Sequence, residues 1–463
     1  MTELSPHLQD LSDFVMASPS SYHAAAEAAR RLEAVGFARV DERLDLPSAP
    51  GGYVLVRDGA VMAWRIPDDG RQQGARGADG SVPVFRILGA HTDSPTFKLK
   101  PNPSTSREGW RQAGVEVYGG PLLNSWLDRE LCFAGRLVTA DGREHLVRTG
   151  PIARFPQLAI HLDREVNNGL TLDRQRHLNP IWGAETVGTA GSSAEGVGDE
   201  ATEVTDILAV LAATAGLEPD AVAGADVVMA DTQAPGLFGG AGEFFASGRL
   251  DNLSSVHAGV VAMEQLVTGA GAGRVADGMA GESAGAPVIP VLAAFDHEEL
   301  GSASRSGAAG PVLEDVLRRV LVALGVEGQG AARSFAGSWL LSADAGHLVH
   351  PNYSERHDPV NHPRPNGGPL LKINANQRYS TDAAGAAAFA RWCGVAGVPF
   401  QEFVSNNTVP CGSTIGPISA TRLGIRTVDV GIGLLSMHSA REMCGAGDPA
   451  RLTGAVGAFY SGV

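Results

Sequence analysis

The stretch Val-Leu-Ala-Ala-Phe-Asp-His-Glu-Glu-Leu-Gly at residues 291–301 places two adjacent carboxylates shortly after a strongly apolar run. Five apolar residues in a row are typical of a strand buried inside a sheet. Successive side chains of a strand point to opposite sides, so we expect Glu298 and Glu299 to do different work. One would hold a metal ion and the other would move a proton, as in metal-assisted hydrolysis. The residues alone do not decide which is which, and two acids that merely begin a helix are the alternative interpretation.

Four other segments share one design, an extended run that ends in, or is followed by, a residue type that binds metals. These residues are His91 after 84–90, Asp251 after 247–250, Asp344 after 338–343 and His438 after 426–430. Ligand sites of open α/β sheets form outside the carboxyl ends of the strands. Two histidines and three carboxylates from separate strand ends suit a pair of zinc ions about 3.5–4 Å apart, with one carboxylate bridging them. Manganese or cobalt is an alternative occupant, since selectivity in a carboxylate-rich site depends on geometry and supply.

These candidates also have ordinary structural interpretations. His91 alone fits a core histidine, although Asp93 could hydrogen-bond its ring and fix its tautomer. Asp251 alone fits the N-cap of the helix that follows it. His347 and His350 have a spacing that would put both on one face of a helix. They are the main rivals of the two histidines named above as metal ligands.

The composition is that of an ordinary globular protein with more than one domain. The 463 residues exceed what one hydrophobic core usually supports, and 44% hydrophobic with 19% charged residues is a typical soluble balance. A formal net charge of −15 argues against a nucleic-acid partner, which needs a clustered positive surface. The four cysteines lie far apart, so neither a disulfide framework nor a thiolate zinc site is expected. We see no secretory signal pattern and no apolar run of about 18 residues, and we therefore expect a cytoplasmic protein without membrane contact.

The pattern of the chain changes twice along its length. The first forty residues have helical spacing, with Ser20 and Ser21 placed to cap an Ala-rich helix. Residues 93–236 contain short apolar stretches broken by Gly and Pro, which predicts a β-rich insertion with one helix at 204–216. Beyond this insertion, helices alternate with strands, which predicts a layered α/β domain. Segments rich in Gly, Ala and Ser are expected to be exposed or disordered loops, and they are 69–82, 183–200 and 268–286.

Several separated motifs follow one another in one order along the chain. They are ASPS at 17–20, GAHTDSP at 89–95, RLDNL at 249–253, DHEE at 296–299 with GS at 301–302, SAD at 342–344 with HPNY at 350–353, QRY at 377–379, GSTIGP at 412–417 and MHSARE at 437–442. In this order they resemble the aspartyl aminopeptidase family of dinuclear zinc peptidases. The resemblance runs nearly end to end, and so many separated motifs make it far more specific than any single one.

The resemblance implies a metal-binding role for five residues. Asp251 would bridge two zinc ions in each subunit. Glu299 and His438 would complete one site, and His91 and Asp344 would complete the other.

The resemblance also implies a base and a substrate pocket. Glu298 would be the general base that takes a proton from water and passes it to the departing amine. Lys372 and Tyr379 would meet the side-chain carboxylate of an acidic N-terminal residue, and His161 would reach the active site of a neighbouring subunit. Without the resemblance, Lys372 would be interpreted as a solvated strand lysine and His161 as a sheet histidine.

Architecture, assembly and function follow from the same resemblance as expectations. Residues 1–92 with 237–463 would form the catalytic zinc-peptidase domain, and residues 93–236 an inserted β-rich dimerisation domain. Twelve subunits would form a tetrahedral dodecamer, and the enzyme would remove N-terminal Asp or Glu from peptides. The alternatives are a neutral aminopeptidase or a deacylase on the same scaffold, and a catalytically silent self-assembling shell protein. Loss of a ligand would be the sequence sign of a silent protein, and all five ligands are present.

Overall fold

The computed structural model describes residues 3–68, 81–185, 206–269 and 286–462. The three segments rich in Gly, Ala and Ser fall almost entirely outside these ranges. The chain divides into two compact units, which we call the main unit (Met1–Ser94 with Ala234–Val463) and the inserted unit (Pro95–Gln233). Their assignment to catalysis and dimerisation stays a prediction. No helix among the described residues combines the length and the apolar character that a membrane crossing requires.

Several of the helices begin at a residue whose side chain caps them. In chain order they are α1 (Pro6–Ala17), α2 (Ser21–Ala34), α3 (Ile207–Thr214), α4 (Leu250–Thr268), α5 (Val312–Ala323), α6 (Gln329–Gly337), α7 (Ala383–Ala396), α8 (Ile415–Leu423) and α9 (Asp448–Tyr460). The Ser20 hydroxyl caps α2 by accepting the backbone N–H of His23, as the sequence predicts. Among the described residues of the inserted unit, α3 is the one α-helix, and it lies in the segment where one helix is expected.

The strands form separate sheets in the two units. In chain order they are β1 (Ala38–Arg39), β2 (Gly51–Arg57), β3 (Ala60–Ile66), β4 (Val84–His91), β5 (Thr96–Arg107), β6 (Trp110–Tyr118), β7 (Leu131–Thr139), β8 (Glu144–Arg148), β9 (Ile181–Ala184), β10 (Val222–Asp231), β11 (Gly236–Phe238), β12 (Phe244–Ser247), β13 (Val288–Phe295), β14 (Trp339–Ala343), β15 (Gly346–His347), β16 (Leu370–Lys372), β17 (Gln401–Phe403), β18 (Arg426–Gly431), β19 (Gly433–Leu434) and β20 (Glu442–Gly445). The inserted unit holds an antiparallel sheet in the order β8-β7-β10-β5-β6-β9. The expectation of a β-rich insertion is confirmed.

The main unit is built on a nine-stranded sheet in the order β1-β2-β3-β13-β4-β14-β18-β16-β17. Its four central strands, β13, β4, β14 and β18, run parallel, so their carboxyl ends share one edge. Smaller sheets, β11-β12-β20 and β15-β19, complete the unit.

Helices cover both faces of the central sheet, and β13 shows why. Leu292 and Ala294 are fully buried in the core that contains residues of α4 and α9. Val291 and Phe295 are buried on the other face, in the core that contains residues of α5. This alternation is the two-residue period of a strand with apolar layers on both sides. The layered α/β fold class is therefore confirmed.

Candidate metal centre

The edge formed by the carboxyl ends of the parallel strands collects the candidate metal ligands. His91 is the last residue of β4, and Asp344 directly follows β14. Asp251 enters from another direction, at the start of α4 after the left-handed residue Arg249. His438 lies in the loop between β19 and β20. The expectation of an extended run at 247–250 before Asp251 is wrong, because β12 ends at Ser247 and Leu250 already belongs to α4. The candidate ligands nevertheless meet at one place in the fold, which is the crevice expected of an open α/β sheet.

Asp251 lies between two sets of potential ligand atoms. Its Oδ1 is 3.2 Å from His91 Nε2, and its Oδ2 is 3.5 Å from His438 Nε2. His91 Nε2 also lies 3.4 Å from Asp344 Oδ1, while His438 Nε2 lies 3.5 Å from Glu299 Oε2. Each set joins one histidine, one private carboxylate and one oxygen of Asp251. Within the described residues, both sets have ligand atoms within 4.8 Å of one another.

The tautomer of His91 follows from its contact on the other side of the ring. Its Nδ1 lies 3.0 Å from the carbonyl oxygen of Asp93. A carbonyl can only accept, so Nδ1 carries a proton. The other ring nitrogen, His91 Nε2, faces Asp251 Oδ1 at 3.2 Å. This contact is favourable when Nε2 is protonated and donates to the carboxylate, and also when a cation lies between the two atoms; a histidine whose other nitrogen donates to a carbonyl is the usual metal-binding arrangement.

The charges and spacings of the cluster fit zinc. In the described part of the chain, Asp251 Oδ1 and Glu299 Oε1 are buried without a hydrogen-bond partner, which is costly for carboxylates unless a metal compensates. Four ligands around zinc at bond lengths of about 2.0–2.1 Å lie about 3.4 Å from one another. The ligand-atom separations of 3.2, 3.4, 3.5 and 3.5 Å match that value. The residues present therefore fit zinc in each set.

Glu298 and Glu299 do not lie on the strand, so the expectation that strand alternation separates them is wrong. The strand β13 ends at Phe295, and His297 adopts a left-handed conformation with φ 62° that begins a tight turn at Glu298–Leu300. Glu299 Oε2 faces His438, whereas Glu298 Oε2 lies 4.0 Å from His91 Nε2. The turn holds the two carboxylates apart because a residue outside the turn accepts hydrogen bonds from its backbone.

Asp93 is the residue that fixes this turn. Its Oδ1 accepts the backbone N–H of Glu298 at 3.0 Å, and its Oδ2 accepts that of Glu299 at 3.2 Å. Its carbonyl orients His91 at the same time. The sequence predicts only that Asp93 orients the histidine ring. Its hydrogen bonds to the two glutamates depend on an approach between distant segments, which no local pattern reveals.

The pKa values of the buried carboxylates show how much negative charge is concentrated here. Burial raises the pKa of Glu298 to about 8, with Asp344 and Asp251 adding to the rise. Burial and the charge of Asp251 raise the pKa of Glu442 to about 8, and they raise that of Glu299 strongly as well. A divalent cation reverses this trend, since it favours the ionised form of every nearby carboxylate.

The predicted pocket residues lie beside Asp344. The side chain of Lys372 is 1% exposed, and its Nζ donates to the carbonyl of Ala345 at 2.6 Å and lies 3.8 Å from Asp344 Oδ2. The ring of Tyr379 lies 5.3 Å from the same Nζ. The interpretation of Lys372 as a solvated strand lysine is wrong, because β16 is an interior strand of the nine-stranded sheet.

Three other histidines differ from their sequence interpretations. His161 lies in an exposed turn of the inserted unit, so it is not a sheet histidine. His347 ends the short strand β15 and His350 lies in the loop after it, so they do not share a helix face. In the described residues, neither belongs to a group that could hold a metal ion. His347 nevertheless interacts electrostatically with Lys372 and Asp251. Its place in the sequence, three residues after Asp344, could have suggested that it lies near the site.

An α/β sheet that brings histidines and carboxylates together at its carboxyl edge defines the class of metal-dependent hydrolases. Comparison with known families narrows this class. The family model for aminopeptidase I zinc metalloprotease (M18) matches residues 14–460. The chain belongs to the M18 family of zinc aminopeptidases.

Individual relatives agree with this assignment over nearly the whole chain. A probable M18 family aminopeptidase 2 of Streptomyces avermitilis is 50% identical over 458 residues, which cover 98% of both chains. One from Mycobacterium bovis is 42% identical over 97% of both chains.

Solved structures show the same fold. The chain of the Ape4 and Nbr1 complex matches with a TM-score of 0.86 and 33% identity, over 99% of this chain and 87% of that one. A chain of the S. cerevisiae mApe1 dodecamer matches with a TM-score of 0.76 and 27% identity, over 98% of this chain and 96% of that one.

Proposed function

We propose that this protein is an aminopeptidase that removes N-terminal Asp or Glu from peptides with two zinc ions per subunit. The observation that carries the proposal is the position of Asp251, whose two oxygens face two separate ligand sets. In the proposal His91, Asp344 and Asp251 would hold one ion, and Asp251, Glu299 and His438 would hold the other. When bound, zinc supplies a Lewis acid that polarises the scissile carbonyl and makes water more acidic.

Glu298 is the general base in this proposal. Glu299 faces His438 directly, whereas Glu298 Oε2 stands 4.0 Å from His91 Nε2, beside the ligand set and more exposed than Glu299. A base needs to reach the attacking water without being bound to the metal as a ligand. Glu298 Oε2 would take the proton from water and deliver it to the nitrogen of the departing amine. The hydrogen bond from its backbone N–H to Asp93 holds the carboxylate in place.

Lys372 supports an acidic substrate. The chain has only three lysines among its 36 Lys and Arg residues, and this one is buried. An ammonium has three protons to donate, and within the described residues the hydrogen bond of Lys372 goes to the Ala345 carbonyl. The negative charge of Asp344 would be directed mainly to zinc. The buried ammonium of Lys372 would then be only partly balanced by negative charge. A substrate carboxylate would supply the missing charge, with Tyr379 and His347 beside it.

The inserted unit supports a homo-oligomer. His161 stands among exposed apolar side chains, with Leu158 55%, Ile160 45% and Leu162 76% exposed. Contiguous exposed apolar residues are typical of surfaces that another chain covers. We propose that a second copy of this chain covers them, that His161 serves its active site, and that the assembly is a tetrahedral dodecamer. A dodecamer is the state named for the S. cerevisiae relative.

The proposal is tested by metal analysis together with a substrate panel. We expect about two zinc per chain after dialysis, and faster hydrolysis of aspartyl and glutamyl than of leucyl anilides. A clear leucyl preference would move the function to a neutral aminopeptidase on the same scaffold, and a protein without bound metal would contradict the proposal altogether.

A further inference from the structure

Glu442 is a buried carboxylate that contacts two of the proposed ligands through their backbones. It is 2% exposed. Its Oε2 accepts the backbone N–H of Asp251 at 3.0 Å, and its Oε1 accepts that of His438 at 2.8 Å. We propose that Glu442 is a positioning residue for the metal centre, which holds the bridging ligand and a histidine ligand in register. The inference rests on the proposed zinc site.

No strand holds the backbones of the two ligands, so side-chain contacts fix them, including the hydrogen bond from Ser94 Oγ to the Asp251 carbonyl at 2.8 Å. Asp251 follows the left-handed residue Arg249, and His438 is itself left-handed, with φ 65°. Glu442 lies 191 residues from Asp251 along the chain, so its carboxylate joins distant segments. Each ligand atom must be held within a fraction of an ångström to bind zinc well.

Glu442 itself stands on a rigid support. It is the first residue of β20, which pairs with β12 so that Glu442 lies opposite Ser247. Ser247 precedes Asp251 by only a few residues, so the same small sheet supports both ends of the hydrogen bond. The carboxylate is therefore itself held in place and can fix the backbone positions of Asp251 and His438.

The chemistry of the contact makes a sharp substitution available. An ionised carboxylate offers two acceptor oxygens, and each receives one N–H. A glutamine has the same shape but only one acceptor, so its NH₂ group would face one of the two backbone N–H groups. Glu442→Gln therefore breaks one positioning bond with almost no change in volume.

Asp448 provides a matched control. It is 1% exposed, and its two oxygens likewise accept two backbone N–H groups, from Asn366 at 2.8 Å and from Gly368 at 2.9 Å. Those partners are not ligands of the metal centre. The Oδ1 of Asp448 also accepts from Arg451 Nη1 at 3.3 Å, so Asp448→Asn removes a buried acceptor and weakens an ion pair without touching the centre.

The experiment measures zinc affinity by competition with a chromogenic chelator and the melting temperature of the metal-free forms. We expect Glu442→Gln to bind zinc about 10- to 100-fold more weakly, the usual effect of removing a group that orients a ligand. Asp448→Asn should bind zinc within about twofold of wild type, although both metal-free variants lose some thermal stability. Wild-type affinity in Glu442→Gln, or an equal loss in Asp448→Asn, would overturn the inference.

A second variant separates position from charge and covers the case in which Glu442→Gln does not fold. Glu442→Asp keeps the buried negative charge, but its carboxylate is one methylene shorter and cannot reach both N–H groups. We expect it to lose zinc affinity as well, and wild-type affinity would show that charge alone matters and defeat the positioning role. A wild-type protein that binds no zinc would instead defeat the proposed function.

Discussion

Lys372→Met tests the acidic specificity most directly. Methionine retains much of the apolar stem of lysine but lacks the charge. The side chain is 1% exposed, so water cannot replace the ammonium as a partner of a substrate carboxylate. A hydrogen bond to a charged group contributes about 1.5–3 kcal/mol. At about 1.4 kcal/mol per factor of ten, kcat/KM for aspartyl and glutamyl substrates should fall roughly 10- to 150-fold.

The assay compares aspartyl, glutamyl and leucyl anilides, because the substitution also leaves the Ala345 carbonyl without its donor. That second effect acts on every substrate, so the acidic-to-leucyl ratio of kcat/KM is the informative quantity. Lys100→Met is the control, since this lysine belongs to the inserted unit and bonds Gln175. An equal loss for acidic and leucyl substrates, with the ratio unchanged, would refute the reasoning.

Four further outcomes follow from the same geometry. Glu298→Gln should lower kcat by about 10²- to 10⁴-fold, the contribution of a general base, while zinc content and melting temperature stay at wild-type values; full activity would refute the base assignment. Removing metal with a chelator should lower the melting temperature, and adding zinc should restore it. The reason is that a cation at 100 times its Kd stabilises the folded state by about 2.7 kcal/mol per site. An unchanged melting temperature would count against bound zinc. His161→Ala and Glu298→Gln should each be nearly inactive, and subunits mixed by co-expression should regain activity if His161 acts on a neighbour; inactive mixtures would contradict that role. Burial opposes the ionisation of Asp10, but its hydrogen bond with His257 lowers its pKa to about 2. The stabilisation is therefore present above the usual pKa near 4 and is lost as the pH falls towards 2. The melting-temperature difference between wild type and Asp10→Asn should shrink from pH 7 to pH 2, and a constant difference would refute the pKa shift.

Much of the fold could be predicted because it depends on local patterns. The apolar run before Asp296 marks a strand with a core on both faces, and β13 has one. Ser20 marks a helix start because a hydroxyl can satisfy a free backbone N–H at that point. Such signals lie within a few residues of what they determine. The prediction that metal-binding residues follow strands has the same origin, since parallel strands share one carboxyl edge.

Tertiary structure alone decided how those residues work. The residue pattern left Glu298 and Glu299 unranked, and their roles came only from the family resemblance; the turn held by Asp93 is what separates them in space. The residue pattern could not show that Lys372 is buried, because the burial of a strand lysine depends on which strands and loops surround it. Glu442 closes the motif MHSARE at 437–442, but no local pattern indicated its role, since its hydrogen bond to Asp251 joins segments 191 residues apart. The chain itself determines the residue types and the local elements, whereas the direction of each donor atom is set by long-range packing that no local pattern encodes.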